Sequence, residues 1–322
     1  MADLKSLEVC AGAGGQALGL EEAGFSHESL VEIEPQACQT LRANRPHWSV
    51  IEADLAAFDA RAYRGIDLLA GGVPCPPFTV AGKQLGRADE RDLFPVVLRL
   101  VDETRPRAVL IENVRGLLAP MFREYRDHIV ATLKGLGYQA GWQLLNASDF
   151  GVPQLRPRAV LVGIKENLAD DFKWPGLSFQ LPPTVGDVLF DLMASRGWRG
   201  AKSWRERAKG IAPTIVGGSK KHGGPDLGPT RAKQAWAVLG VDGLGIADEP
   251  PARNFVGMPK LTVRMVARLQ GFPDVWRIEG RKTSAYRQIG NAFPPPVSKA
   301  VGEQIFRCLT SRRRFVQVPR VS

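Results

Sequence analysis

The chain has 322 residues, enough for one large domain and a smaller one, and its 44% hydrophobic content supports a sizeable core without any apolar run of about 18 residues that would span a membrane. A net charge of +10, from 43 basic and 33 acidic residues, suits a polyanionic partner. The four cysteines (Cys10, Cys38, Cys75 and Cys308) are scattered, with no CxxC pair, which argues against a zinc site or a disulfide framework and suits a reducing cytosol. Met1–Lys5 lacks the charged-then-apolar layout of a signal peptide.

The first half alternates strands and helices. Leu4–Cys10 is a predicted strand, Gly12, Gly14 and Gly15 a turn, and Gln16–Ala23 a helix stopped by Gly24. Predicted strands follow at His27–Ile33, at Val50–Ile51 leading to Asp54, at Ile66–Ala70 and at Arg107–Ile111. Asp92–Glu103 and His128–Leu136 read as helices, and Tyr138–Ile164 as adjacent strands with a turn at Gly151-Val152-Pro153. Repeated βα units predict an α/β fold, a doubly wound and mainly parallel sheet with helices on both faces. From about Leu168 to Pro259 the alternation is lost in Gly, Pro, Lys and Arg, which predicts a separate small, loop-rich domain. Amphipathic helices return at Leu261–Leu269 and Val297–Leu309; the Arg312–Arg314 tail reads as a solvated end.

The glycine turn sits between a strand and a helix, where free N–H groups meet a ligand. Alone it is an ordinary tight turn. Glu32 lies 17 residues past Gly15, near the spacing at which a carboxylate meets ribose hydroxyls, and Asp54 ends the third strand on the same edge. Together they predict a nucleoside pocket, without choosing between a dinucleotide and S-adenosylmethionine. Gly71-Gly72-Val73-Pro74-Cys75-Pro76-Pro77-Phe78 follows the fourth strand, with prolines stiffening the chain around Cys75. Ile111-Glu112-Asn113-Val114 ends the fifth, so a thiol and a carboxyl share one rim. A lone cysteine is by default a small buried hydrophobe.

These segments resemble, in order and over nearly the whole chain, the cytosine-5 DNA methyltransferase family of bacterial restriction-modification systems. Ala11-Gly12-Ala13-Gly14-Gly15 is similar to its cofactor loop and Pro74-Cys75 to its nucleophile motif, continued by Ala81-Gly82-Lys83 and Arg91-Asp92-Leu93-Phe94. Glu112-Asn113-Val114 is similar to its acidic motif and Gln154-Leu155-Arg156-Pro157-Arg158 to its Gln-x-Arg-x-Arg segment. Arg268-Leu269-Gln270-Gly271-Phe272-Pro273 and Gln288-Ile289-Gly290-Asn291 resemble its closing motifs.

The resemblance implies an S-adenosylmethionine-dependent, Rossmann-like catalytic domain formed by residues 1–177 and 260–322, with a target-recognition domain at 178–259. It implies methyl transfer to carbon 5 of a flipped cytosine in a specific duplex DNA site, through a covalent Cys75 adduct. Glu112 would serve N3 of the base, Arg156 and Arg158 its O2, and Asn113 the loop. Cofactor contacts are implied at Cys10, Ala11, Gly12, Gly14, Gly15, Glu32, Ile33, Asp54, Leu55, Pro74, Leu93, Asn291 and Ala292. Lys202, Arg205, Lys220, Lys221, Arg231 and Lys233 would meet phosphates or guanine edges. The expected protein is a cytoplasmic monomer without metal, its partner endonuclease not held in a stable complex.

Some positions depart from the pattern. Cys10 stands where an aromatic is common beside the cofactor, Pro76 replaces a frequent Gln and Thr79 the usual Ser. Met265 follows Arg264 where a Glu is usual, which removes an ion pair expected to brace the recognition domain. A tRNA methyltransferase of the same family, a non-catalytic DNA-binding relative and a nicotinamide dehydrogenase are the rival readings.

Overall fold

The computed structural model describes residues 3–74, 92–176, 181–217 and 224–311. Cys75, Pro76, Thr79, Ala81-Gly82-Lys83, Arg91, Lys220, Lys221 and the Arg312–Arg314 tail lie outside the described residues.

Among the described residues, seven strands form one sheet. They are β1 (Leu4–Val9), β2 (Phe25–Glu32), β3 (Val50–Glu52), β4 (Leu68–Gly72), β5 (Ala108–Val114), β6 (Tyr138–Asn146) and β7 (Pro157–Lys165). Their order is β3-β2-β1-β4-β5-β7-β6. The first five are parallel; β7 runs antiparallel to both β5 and β6. The predicted turn between the last two is a 3-10 turn at Ala147–Phe150 followed by Gly151 at φ 78°.

Strands β4 and β5 have no exposed face. In β5, Ala108 and Leu110 face one side, with Val109 and Ile111 on the other. Both sides are covered by helices, so the alternation of a half-exposed strand is absent. Leu68, Ala70 and Leu110 pack with Leu20 of α1 (Gly15–Glu22) and with Val297, Val301 and Ile305 of α10 (Pro295–Ser311). Leu69, Val109 and Ile111 pack with Val97 and Leu100 of α3 (Phe94–Thr104) and with Ile129 and Leu133 of α4 (Arg123–Gly135).

Two helices escaped the sequence reading. In α2 (Pro35–Asn44) and α9 (Lys282–Asn291) the buried stripe is short, Ala37, Cys38 and Leu41 in one and Ala285, Tyr286 and Ile289 in the other. The stretch expected to be loop-rich contains α5 (Val185–Ala194), α6 (Ala201–Arg207) and α7 (Thr230–Val238), and no strand among the described residues. It shares one apolar cluster with the return segment. Leu189, Trp204 and Trp236 join Met265 of α8 (Val263–Leu269), Phe272, Tyr286 and, at the sheet, Leu18 and Leu41.

Met265 is part of that cluster and fully buried, so no ion pair is made there. The brace is made one turn later. Arg268 pairs with Asp191 of α5 and with Asp274, and donates to the Val188 carbonyl at 2.9 Å. No helix among the described residues is long and apolar enough to cross a membrane.

Candidate active site at the sheet's switch point

Chain order reverses between β1 and β4, the crevice in which doubly wound sheets bind ligands. The carboxyl ends of β1 to β5 all open on that rim, because the five strands are parallel.

The glycine loop is held from two sides. Glu32, at the end of β2, accepts from the Gly12 N–H at 2.7 Å and from the Glu34 N–H at 2.8 Å. Burial raises the Glu32 pKa, and these amides oppose it. Trp276 donates its indole N–H to the Ala13 carbonyl at 3.0 Å. Gly12 and Gly14 have φ of 54° and 80°, and a Cβ on Gly15 would lie 2.3 Å from the Phe293 carbonyl oxygen. The glycines are thus required by conformation and by close backbone approach. Cys10 also has a positive φ of 53°. Its thiol is driven far up by burial and by the charges of Glu32, Asp54 and Glu8. That fits a neutral, apolar lining group. Asp54 is exposed, Ile33 is exposed beside Glu32, and Leu55 is buried below.

The second half of the rim is built on β4, β5 and β7. Register pairs Gly72 with Glu112 and Val114 with Arg158. Arg158 Nε lies 2.7 Å from Glu112 Oε1. Burial raises the Glu112 pKa against the charges of Arg158 and Arg156. Asn113 accepts from the Val114 N–H at 2.8 Å, and its Nδ2 points at the Val73 carbonyl 3.5 Å away. Val73 and Pro74 lead directly into Cys75, so Glu112 and Asn113 stand beside the chain that carries the cysteine. Leu93 precedes α3, where its carbonyl accepts from Val97 N–H.

Arg156 differs from the expectation that it reaches the base with Arg158. Its side chain is 0% exposed. One terminal nitrogen donates to the Ile215 carbonyl at 2.7 Å; the other donates to the carbonyls of Gly290 and Ala292 at 2.6 and 3.0 Å. With its terminal nitrogens so engaged, Arg156 ties segments together. Asn291 is likewise turned toward Gly217, since a Cβ there would lie 2.3 Å from its Oδ1. Ala292 and Phe293, the next residues in the chain, touch the glycine loop at Gly15.

The model of the family described as C-5 cytosine-specific DNA methylase matches residues 4–307. The chain belongs to that family. It is 57% identical to the type II methyltransferase M.NgoMIV of Neisseria gonorrhoeae over 307 residues, covering 94% of this chain and 97% of that one. It is 58% identical to M.NaeI of Lentzea aerocolonigenes over 311 residues, covering 95% and 75%. Among solved structures it is similar to a prophage-encoded DNA modification methyltransferase of E. coli, with a TM-score of 0.67, 23% identity, and coverage of 96% and 100%. It is also similar to the S. pombe Dnmt2 methyltransferase, at 0.63 and 18%, covering 98% and 100%. These two likenesses speak to the fold alone. Methyl transfer to carbon 5 of cytosine in DNA is the family's activity and the activity of this chain.

For a DNA methylase, the free cations matter more than the total. Arg205 is paired with Asp187 at 2.7 Å and Lys233 with Asp226 at 2.7 Å. Lys202 and Arg231 are exposed and make no ion pair among the described residues. The sequence reading also missed buried polar groups of the methylase site. Glu8 on β1 and Gln16 at the start of α1 are buried, and neither side chain closes a hydrogen bond. Burial pushes Glu8 well above the ordinary carboxylate range, with the Ala17 amide opposing. A Cβ on Gly72 would meet Glu112 Oε2 at 3.3 Å and Gln16 Oε1 at 3.9 Å, so Gln16 faces the same gap as Glu112. A carboxyl between the apolar residues Leu7 and Val9 was the available signal for Glu8.

Proposed function

We propose that this chain is the methyltransferase of a bacterial type II restriction-modification system, using S-adenosylmethionine on a cytosine flipped out of duplex DNA. The observation that carries the reading is the Glu112–Arg158 pair beside the end of β4, on the same rim as the glycine loop. The two parts would present a base to a bound nucleoside.

The donor set suits S-adenosylmethionine. Glu32 would accept from the ribose hydroxyls, Asp54 and the Leu55 backbone would meet the adenine, and Ile33 and Cys10 would flank its ring. Gly12, Gly14, Gly15 and Ala11 would line the methionine end with Pro74, Leu93, Asn291 and Ala292. Bound there, the cofactor supplies an electrophilic methyl group.

Carbon 5 of cytosine is too electron-poor to take that methyl unaided. The Cys75 thiolate adds at carbon 6 and makes carbon 5 nucleophilic. Negative charge builds at N3 as the bond forms, and Glu112, whose pKa burial raises, gives its proton or hydrogen bond there. Arg158 holds O2 and lends the positive charge that favours the thiolate. Asn113 fixes the turn beside Val73. Once carbon 5 carries the methyl group it gives its proton to solvent water, the electrons of that C–H bond re-form the 5,6 double bond and expel Cys75 from carbon 6 as the thiolate, and N3 returns its proton to Glu112. Arg156 serves as a positioning residue.

Residues 1–177 and 260–322 would form the catalytic domain and 178–259 the recognition domain. The protein would act as a cytoplasmic monomer on chromosomal DNA, with a partner endonuclease recognising the same site but not bound to it. Bisulfite sequencing of DNA from cells expressing the chain tests the reading. Methylated cytosines in one fixed sequence context are expected, and none with Cys75→Ser. Methylation of tRNA in place of duplex DNA, or full DNA methylation by Cys75→Ser, would overturn it.

A further inference from the structure

Two glutamines within the site's motifs have no role in the chemistry, yet both are 0% exposed. Their amides lie head to tail. The Ile215 backbone N–H donates to Gln154 Oε1 at 2.9 Å. Gln154 Nε2 donates to Gln270 Oε1 at 2.7 Å and to the Leu269 carbonyl at 3.2 Å. Gln270 Nε2 donates to the Ala292 carbonyl at 2.6 Å.

The relay joins two ends that the reaction must bring into register. At one end, residues 212–217 run alongside 153–156. Leu155 N–H donates to the Ala212 carbonyl, Ala212 N–H to the Pro153 carbonyl, and the Thr214 hydroxyl to the Leu155 carbonyl. This segment leads into the glycine- and lysine-rich stretch of the recognition region. At the other end, Ala292 packs on Gly15 of the glycine loop, 3.2 Å from where a Cβ would stand. The two ends also touch: a Cβ on Gly290 would lie 2.4 Å from Gly217 Cα.

The surrounding apolar cluster already supplies cohesion. Buried amides add direction, because each donor must meet one acceptor or be left unpaired. Apolar side chains of the same volume would permit neighbouring registers.

We propose that Gln154 and Gln270 are positioning residues for methyl transfer. Their relay locks segment 212–217 to the turn at 290–292, so that DNA held on one side meets the methyl donor held on the other. This rests on the proposed function of the rim.

Gln154→Met, Gln270→Met and the double variant test it, with unmethylated chromosomal DNA as substrate and S-adenosylmethionine binding measured without DNA. Each single variant is expected to lose about tenfold in kcat/KM for DNA, the lower end of the cost of leaving buried partners unpaired. The double is expected to match the singles, because a relay cut once is cut. Cofactor affinity stays within about twofold of wild type. Hydrogen exchange should rise together at 212–217 and 290–292 in either single variant. Gln154→Glu keeps the acceptor for Ile215 and removes the donor to Gln270, and carries the same comparison if a methionine variant does not fold.

Wild-type kcat/KM in folded variants, or losses that multiply in the double, would overturn the proposal. So would exchange that rises at one end only. A wild-type chain that methylates no DNA would sink the functional reading, while the exchange measurement still judges the relay.

Discussion

Glu112 sits under two opposing influences. Burial removes water from its carboxyl and raises the pKa; Arg158 at 2.7 Å lowers it, and burial wins. The protonated form therefore persists above the ordinary range, which is what donation at N3 requires. On the proposed mechanism, the activity contributed by Glu112 would be present below its raised pKa and lost as pH rises through it, whereas the thiolate of Cys75 would contribute in the opposite sense. Glu112→Gln has no such proton to lose. We expect kcat to fall by about 10² to 10⁴ and the limb that falls with rising pH to vanish, leaving only the rising cysteine limb. A pH profile in the variant unchanged in shape from wild type would rule Glu112 out as the donor. The closeness of Glu112 and Arg158 was legible because their neighbours in sequence form motifs. Glu8 and Gln16 were not, because their burial depends on α1 lying across the sheet, a contact that no local pattern encodes.

At the scale of elements, the strand ends were the legible part. Each predicted strand ended within two or three residues of the observed one, because buried parallel strands are short apolar runs bounded by Gly, Asp or Glu. The resemblance implied that the C-terminal segment returns to the N-terminal one, but the particular packing of α10 against α1 was not legible, since the two helices are some 280 residues apart. The contact depends on Gly19. A Cβ there would lie 2.4 Å from the Pro295 carbonyl oxygen, 2.6 Å from Ser298 Cβ and 2.7 Å from the Lys299 nitrogen. Two of these atoms are backbone and cannot rotate away. Gly19→Ala gains helix propensity but forces the helices apart, and we expect a net loss of about 1 to 3 kcal/mol in urea unfolding. Gly135→Ala is the control. It ends α4, meets nothing within 4 Å, and should be neutral or stabilising by up to about 1 kcal/mol. If both substitutions stabilise, the close approach of α1 and α10 is not what holds α1.

At the scale of the molecule, the net charge of +10 was evident from composition, but its usable share was not. Arg205 is spent on Asp187, 18 residues earlier, and stacks over Phe190 with its guanidinium carbon 5.2 Å from the ring centre. Arg231 is exposed and makes no ion pair among the described residues. Binding to duplex DNA releases counterions in proportion to the phosphates that free cations neutralise. An arginine already neutralised within the protein releases few, since reaching a phosphate would break its own pair. Arg231→Ala should therefore lower the slope of log Kd against log salt by about one and weaken binding to all sequences alike. Arg205→Ala should leave that slope unchanged while loosening the contact of α6 with α5. Fluorescence anisotropy on a duplex, between about 50 and 200 mM salt, separates the two. Equal slope changes in both variants would mean that the pairing with Asp187 opens on DNA, and that the free-cation count understates the DNA-binding face.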